Sequence, residues 1–200
     1  MRAKFVRESA DVRRQALIDA TAKCLAEKGV AGTSVRAICA AAGVSSGLLT
    51  HYFEGVDALI LATYRDVGQR VSQAMDAAIA GAGDDPLDRL RAFLQANFRA
   101  PVLDADLLAT WIAFWSLIKS NADVAAAHAD IYAASRAQLE GLVTAAAPAF
   151  SPGQVRLKAI GLTALVDGLW LEYCLDPTSF SAAEAQQLVE RAMGHALRDE

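Results

Sequence analysis

Two groups of residues in this 200-residue chain have the types and spacing to do chemistry. The first is Ser46-Gly47-Leu48-Leu49-Thr50-His51-Tyr52, which puts hydroxyls, an imidazole and a phenol on one short helical run. Leu49 and Phe53 lie four apart and turn inward together, leaving Ser46, Gly47, Leu48, Thr50, His51 and Tyr52 toward the outside. Hydroxyls and ring N–H groups reach base edges and phosphate oxygens. Gly47 lets the backbone approach a groove, and Leu48 can meet a thymine methyl. The second group is aromatic: Phe98, Trp111, Phe114, Trp115, Tyr132, Trp170 and Tyr173, with Asp167 set in the apolar run Asp167-Gly168-Leu169-Trp170-Leu171. Tryptophan faces beside a carboxylate are the ingredients of a quaternary-ammonium cage. A carboxylate on such a helix must be paired, solvated or turned toward a cationic ligand. Two other readings stay open: the rings as ordinary core, and Asp167 as a hydrogen-bonding group at a subunit interface.

Enzyme chemistry has no comparable foothold. The chain lacks a G-x-S-x-G elbow, an H-E-x-x-H pair, a phosphate-cradling glycine loop and a Cys-x-x-Cys pair. None of His51, His128 and His195 has Glu three residues before it, as a di-iron bundle needs. No catalytic residue, metal or cofactor is expected, and His128 and His195 read as surface histidines.

The elements that must position the first group can be read directly. Thr33 is expected to cap a helix carrying Val35, Ile38 and Cys39. Gly43 ends that helix through a positive φ, and Ser45 caps the next. Two short helices around a glycine corner make a helix-turn-helix. Arg36 is placed to clamp a phosphate, and Thr33 to offer it a backbone N–H and a hydroxyl. Upstream, a first helix is expected over about residues 11–28, burying Leu17, Ala20, Cys24 and Leu25 and closing at Gly29. A basic arm of Arg2, Lys4 and Arg7 precedes it. Downstream, helices are expected over about 56–80, from Pro86 through Phe98, 104–120, 123–146, 151–175 and 181–198, separated by proline, glycine and aspartate signals. Ser181 and Glu184 are spaced as a capping box. Gly161 and Gly168, seven apart on the eighth helix, permit close approach of a partner helix. Helices 8 and 9 are therefore the expected homodimer interface.

Composition agrees. Hydrophobic residues make up 54% of the chain, much of it alanine, with few β-branched clusters or period-two runs, which points to an all-α fold. No apolar run is long enough to span a bilayer, and the N-terminus lacks the apolar core of a signal peptide. Three widely spaced cysteines, Cys24, Cys39 and Cys174, read as buried thiols of a reduced, cytoplasmic chain. The net charge of −4 is divided unevenly: residues 1–53 hold eight Lys/Arg against four acids, which leaves the remainder strongly acidic. A basic head on an acidic body suits a protein that meets phosphate at one end.

In these residues the chain resembles the TetR family of transcriptional repressors. Thr33, Ile38-Cys39, Ala42-Gly43-Val44-Ser45, Gly47, Thr50-His51-Tyr52 and Phe53 stand in the register of that family's DNA-binding signature. The chain departs from it at Thr50, where many members carry Tyr, and at Val56, where most carry a phosphate-touching Lys. Trp111-Ile112-Ala113-Phe114-Trp115 and Asp167-Gly168-Leu169-Trp170-Leu171 are similar to the body of that family's choline-responsive, betaine-pathway subgroup, as are Ser46-Gly47 and His51-Tyr52-Phe53. The resemblance implies about nine helices, with a helix-turn-helix DNA-binding domain over residues 1–53 and a ligand-binding and dimerisation domain over 54–200. It implies a homodimer on palindromic double-stranded DNA, released by a small-molecule inducer, with choline or another amine as the lead. The expected DNA contacts are Thr33, Arg36, Ser45, Ser46, Gly47, Leu48, Thr50, His51 and Tyr52. The expected ligand contacts are Phe98, Trp111, Phe114, Trp115, Asp167, Trp170 and Tyr173. The alternative is a helical small-molecule-binding or interaction protein with no DNA-binding function.

Each phosphate neutralised by Lys or Arg releases counterions, so operator affinity is expected to fall steeply as salt rises. A salt titration with a log–log slope near zero would rule out binding through phosphate neutralisation.

Overall fold

The computed structural model describes residues 10–198; the arm expected around Arg2, Lys4 and Arg7 lies outside them. Among the described residues every regular element is a helix: α1 (Ala10–Gly32), α2 (Val35–Ala42), α3 (Ser46–Tyr52), α4 (Val56–Gly81), α5 (Pro86–Ala96), α6 (Ala105–Leu117), α7 (Ala122–Ala146), α8 (Pro152–Leu175) and α9 (Ala182–Ala196). Local chemistry sets their starts. Asp85, Asp104 and Asn121 accept the first free N–H groups of α5, α6 and α7. Ser151 with Gln154 and Ser181 with Glu184 form capping boxes on α8 and α9. Phe98 lies past the end of α5 rather than on it, because Asn97 caps that helix.

The start of the helix-turn-helix differs from the expected one by a single residue. The chain does not stop at Gly29, whose φ of 62° kinks α1 and lets one more turn follow. Thr33 completes that turn. Its N–H donates to the Val30 carbonyl at 3.1 Å and its hydroxyl to the Gly29 carbonyl at 2.8 Å. Ser34, in extended conformation, caps α2 instead and accepts from the Ala37 N–H. Two adjacent cap-forming residues left the register open by one, and closure of the α1 turn decides it. The rest of the corner is as expected. Gly43 sits at φ 66°, ψ 31° and closes α2 onto the Cys39 carbonyl, while Ser45 caps α3 by accepting from Leu48.

Two apolar cores result. The head core gathers Leu17, Ile18, Cys24, Ile38, Leu49 and Phe53 with Leu59 of α4. The body core gathers Tyr64, Leu90, Leu94, Phe114, Val143 and Ala159 with Leu25 of α1. Each core therefore takes a residue from a helix that begins in the other, and Val56 packs against both. That packing is the local reason an apolar residue suits position 56. Polar ties cross the same junction. The Thr110 hydroxyl of α6 donates to the Ala22 carbonyl of α1 at 3.1 Å. Gln15 donates to Asp66 at 3.2 Å, and Arg70 pairs with Asp19 and Asp66.

A Cβ added at Gly43 would meet nothing within 4 Å, so alanine there perturbs only the left-handed backbone. Gly43→Ala is expected to cost about 1–2 kcal/mol of stability, read by chemical denaturation. An unchanged midpoint would mean that the corner does not depend on that conformation.

Candidate nucleic-acid interface and ligand cavity

The α1–α2 core presses on one side of α3 and presents the other. Leu49 is fully buried beneath it, whereas Ser45, Ser46, Gly47, Thr50 and His51 are exposed and Leu48 and Tyr52 are half-buried. Tyr52 packs against the head core and meets the His51 ring edge-on, with centroids 5.0 Å apart. Thr50 turns its hydroxyl proton back toward the Ser46 and Gly47 carbonyls, at 3.3 and 3.2 Å, so it faces outward as an acceptor. Arg36 is exposed on α2. Thr33 is buried and both of its donors are spent within the α1 turn. The expectation that it offers N–H and hydroxyl to a phosphate is corrected by that geometry, and Ser34 holds the exposed cap position. In the described part of the head, Arg14 lies over the Phe53 ring, 5.1 Å from its centroid.

The second site is a cavity of about 630 Å³ between α4, α5, α6, α7 and α8. Its apolar walls include Phe93, Trp111, Tyr132 and Trp170. Trp111 meets Trp170 edge-on at 6.3 Å between centroids and Tyr64 at 5.5 Å. Trp170 is anchored by its indole N–H, which donates to the Asn97 carbonyl at 2.8 Å. Tyr132 reaches the cavity because α7 runs close to α4 at Gly68, where a Cβ would come within 2.7 Å of the Ile131 side chain. A methyl there would have to push the Ile131 δ-methyl aside.

Asp167 faces this cavity and accepts a long hydrogen bond, 3.4 Å, from the Tyr132 hydroxyl. Burial lifts its pKa to about 6, against the downward pull of that hydroxyl and of Arg136. Burial and the Asp167 charge together push the Tyr132 phenol up. The indole N–H groups of Trp111 and Trp115 pull it the other way, although the buried Trp115 Nε1 has no partner at hydrogen-bonding geometry. The rim adds Arg65, Gln69, Ser72, Ser135, Asp76 and Gln138.

Of the expected ligand residues, the fold brings together Trp111, Asp167 and Trp170. Phe98, Phe114, Trp115 and Tyr173 are not in the cavity wall, for separate reasons. Phe98 is buried beyond the α5 cap, where its carbonyl accepts from Gln186. Phe114 is fully buried against Tyr64, 4.3 Å between centroids. Trp115, one turn after Trp111, is half-buried outside the lining. Tyr173 is turned away along α8 and packs on Phe180 at 5.8 Å. His128 is not a surface residue. It is half-buried, accepts or donates at 2.8 Å with the Tyr64 hydroxyl, and burial lowers its pKa. Cys174 is half-buried rather than buried. Phe93 and Asn97 were not expected in the cavity, and Tyr132 was read in the aromatic group without being given a ligand contact. The one sequence signal for them is Gly68, an isolated glycine inside a long helix, which marks a close helix approach.

Comparisons with known proteins bear on both sites. Residues 17–63 match the family model described as bacterial regulatory proteins, tetR family. Residues 86–198 match the model described as BetI-type transcriptional repressor, C-terminal. The HTH-type transcriptional regulator BetI of Burkholderia thailandensis is 35% identical over 178 residues, which cover 89% of this chain and 90% of that protein. Its namesake in Stenotrophomonas maltophilia is 33% identical over 181 residues, 88% and 89% of the two chains. A transcriptional regulator from Pseudomonas aeruginosa superposes with a TM-score of 0.87 at 38% identity over 96% of this chain and 94% of its own. A regulator from Saccharomonospora viridis, solved in complex with choline, superposes with a TM-score of 0.80 at 18% identity over 92% and 97%, a likeness of fold. No helix among the described residues is long and apolar enough to cross a membrane.

Burial holds the Asp167 carboxyl at about 6 in the folded protein, above the usual aspartate range. The stability its neutral form contributes is full below about 3.8 and is lost as pH rises through 6. Asp167→Asn removes this buried charge. It is expected to be more stable than the parent by about 1–3 kcal/mol at pH 8, a gain that shrinks toward zero near pH 4. Denaturation midpoints at both pH values check it, and a pH-independent difference would exclude ionisation as the cause.

Proposed function

The chain belongs to the TetR family of transcriptional regulators, with a C-terminal domain of the BetI repressor type, and on that premise we propose that it acts as a homodimer released from a palindromic operator when a small amine enters the body cavity. The observation that carries the ligand class is Asp167 beside the rings of Trp111, Tyr132 and Trp170. A buried carboxyl raised by desolvation is stabilised as an anion by an incoming cation, and the ring faces attract the same charge. Choline fits this chemistry, and the S. viridis regulator of the same fold was solved with it.

The DNA side rests on Ser46, Gly47, Thr50 and His51 exposed along α3, with Leu48 and Tyr52 beside them and Arg36 and Ser45 flanking. The dimer side rests on one stripe of α8, in which Leu157, Ile160, Leu171 and Leu175 are exposed and Gly161 and Gly168 leave open space; Leu188 of α9 is exposed beside them. Pairing that face with its symmetry mate would hold two heads about 34–36 Å apart, the spacing of successive major grooves. The junction supplies the coupling. Trp111 lines the cavity while its neighbour Thr110 holds α1, and α4 lines the cavity with Gly68 and Ser72 while Leu59 sits in the head core. A ligand that shifts α4 and α6 therefore moves the heads, and about 1–3 kcal/mol of coupling suffices.

Choline is expected to alter tryptophan emission and to release operator DNA in a mobility shift. The Asp167 carboxyl is about nine-tenths ionised at pH 7 and one-tenth at pH 5, so choline should bind about ten-fold more weakly at pH 5. Asp167→Asn should bind operator normally but resist release. If millimolar choline leaves both emission and operator binding unchanged, the amine reading is wrong.

A further inference from the structure

The cavity meets solvent along one line. Every exposed residue of its lining lies on α4 or α7: Arg65, Gln69, Ser72 and Asp76 on the first, Ala134 and Ser135 on the second. The walls from α5, α6 and α8 contribute only buried and half-buried residues. The cleft between α4 and α7 is therefore the mouth, and two contacts close it. At one end the helices touch, with Ile131 seated on Gly68. At the other, the Gln138 amide donates to Asp76 Oδ1 at 2.6 Å. Residues 68 to 76 of α4 and 131 to 138 of α7 run between these contacts, a span of about 11 Å at the helical rise of about 1.5 Å per residue. Ser72, Ala134 and Ser135 border the middle of that span with short side chains.

The two closures differ in kind. The Gly68 contact is close packing of a side chain on a helix backbone. The Asp76–Gln138 bond joins an exposed carboxylate to a half-buried amide, and water can take the place of either partner, so it opens at small cost. That bond is also a partition. On its far side Asp76 and Gln138 line a second cleft of about 570 Å³, walled by Ile79, Asp84, Arg89, Gly141 and Leu142. Breaking the one bond joins this outer cleft to the cavity.

We propose that the α4–α7 cleft is the port of the cavity, with Asp76 and Gln138 as its latch: ligand passes when their hydrogen bond breaks and the two helices part about the Gly68 contact. The port holds for any ligand of the cavity, and only the choline measurement rests on the amine reading.

Trp111 and Trp170 are buried in the cavity wall, so acrylamide, a small neutral quencher, has to pass the port to reach them. The test starts from the full-length protein carrying Trp115→Phe, which leaves those two indoles as the only tryptophans. In it, Gln138→Met is expected to raise the acrylamide quenching constant about two-fold or more. Methionine keeps the length of the side chain and lacks the amide. Asp76→Asn retains an acceptor for that amide and should quench like the parent. Stopped-flow mixing with choline adds a kinetic measurement: Gln138→Met should raise the association and dissociation rates together, by about three-fold. Quenching left unchanged by Gln138→Met would overturn the port. Equal gains in Gln138→Met and Asp76→Asn would overturn the latch, and so would a rise in dissociation alone, which would make Gln138 a ligand contact. Failure of choline to bind would overturn the amine reading, while the quenching result would still decide the port.

Discussion

Neither apolar core in this protein is complete without a residue from the other's helices. Leu59 of α4 fills the head, Leu25 of α1 fills the body, and Val56 touches both. Close-packed interiors transmit displacement rather than absorb it, so the relative placement of head and body is set by side-chain volume along two shared helices. The Thr110–Ala22 hydrogen bond adds direction to that constraint, since it fastens α1 to the helix that carries a cavity wall. The exposed Arg70 pairs contribute less, because solvated ion pairs are worth little. The cavity of the body and the exposed face of α3 are thus parts of one packing problem.

The chamber around Asp167 is built against the protein's own stability. A carboxyl in an aromatic enclosure, held by one long hydrogen bond from Tyr132, is a poor contributor to folding at neutral pH. On the proposed reading, that same cost is what an entering cation would relieve. Local rules are kept almost everywhere else, from the capping boxes of α8 and α9 to the left-handed Gly43. They are relaxed around Asp167.

How much of this was legible in the sequence follows from the range of each interaction. Caps, corner glycines and the inward pair Leu49 and Phe53 depend on neighbours within one turn, so the helix-turn-helix and most element ends could be read directly. The Thr33–Ser34 register could not, because both residues can cap and the deciding bond runs back to Gly29. Trp111, Asp167 and Trp170 were legible as chemistry, yet which aromatic faces the cavity is a property of helix rotation. Phe114 and Tyr173 have the right type on the wrong face. His128 was misread because its partner, Tyr64, lies far away in sequence and nothing local announces a buried imidazole.

The notch at Gly68 has a consequence for how the body can vary. The gap between α4 and α7 at rest is set by the absence of a side chain, with Ile131 resting where a methyl would otherwise project. Alanine there would turn the Ile131 δ-methyl aside, and a larger residue would press on α7 beside the cavity, while the exposed face of α3 would be untouched. Drift at this single glycine would therefore reshape the cavity wall before it reached the exposed face of α3.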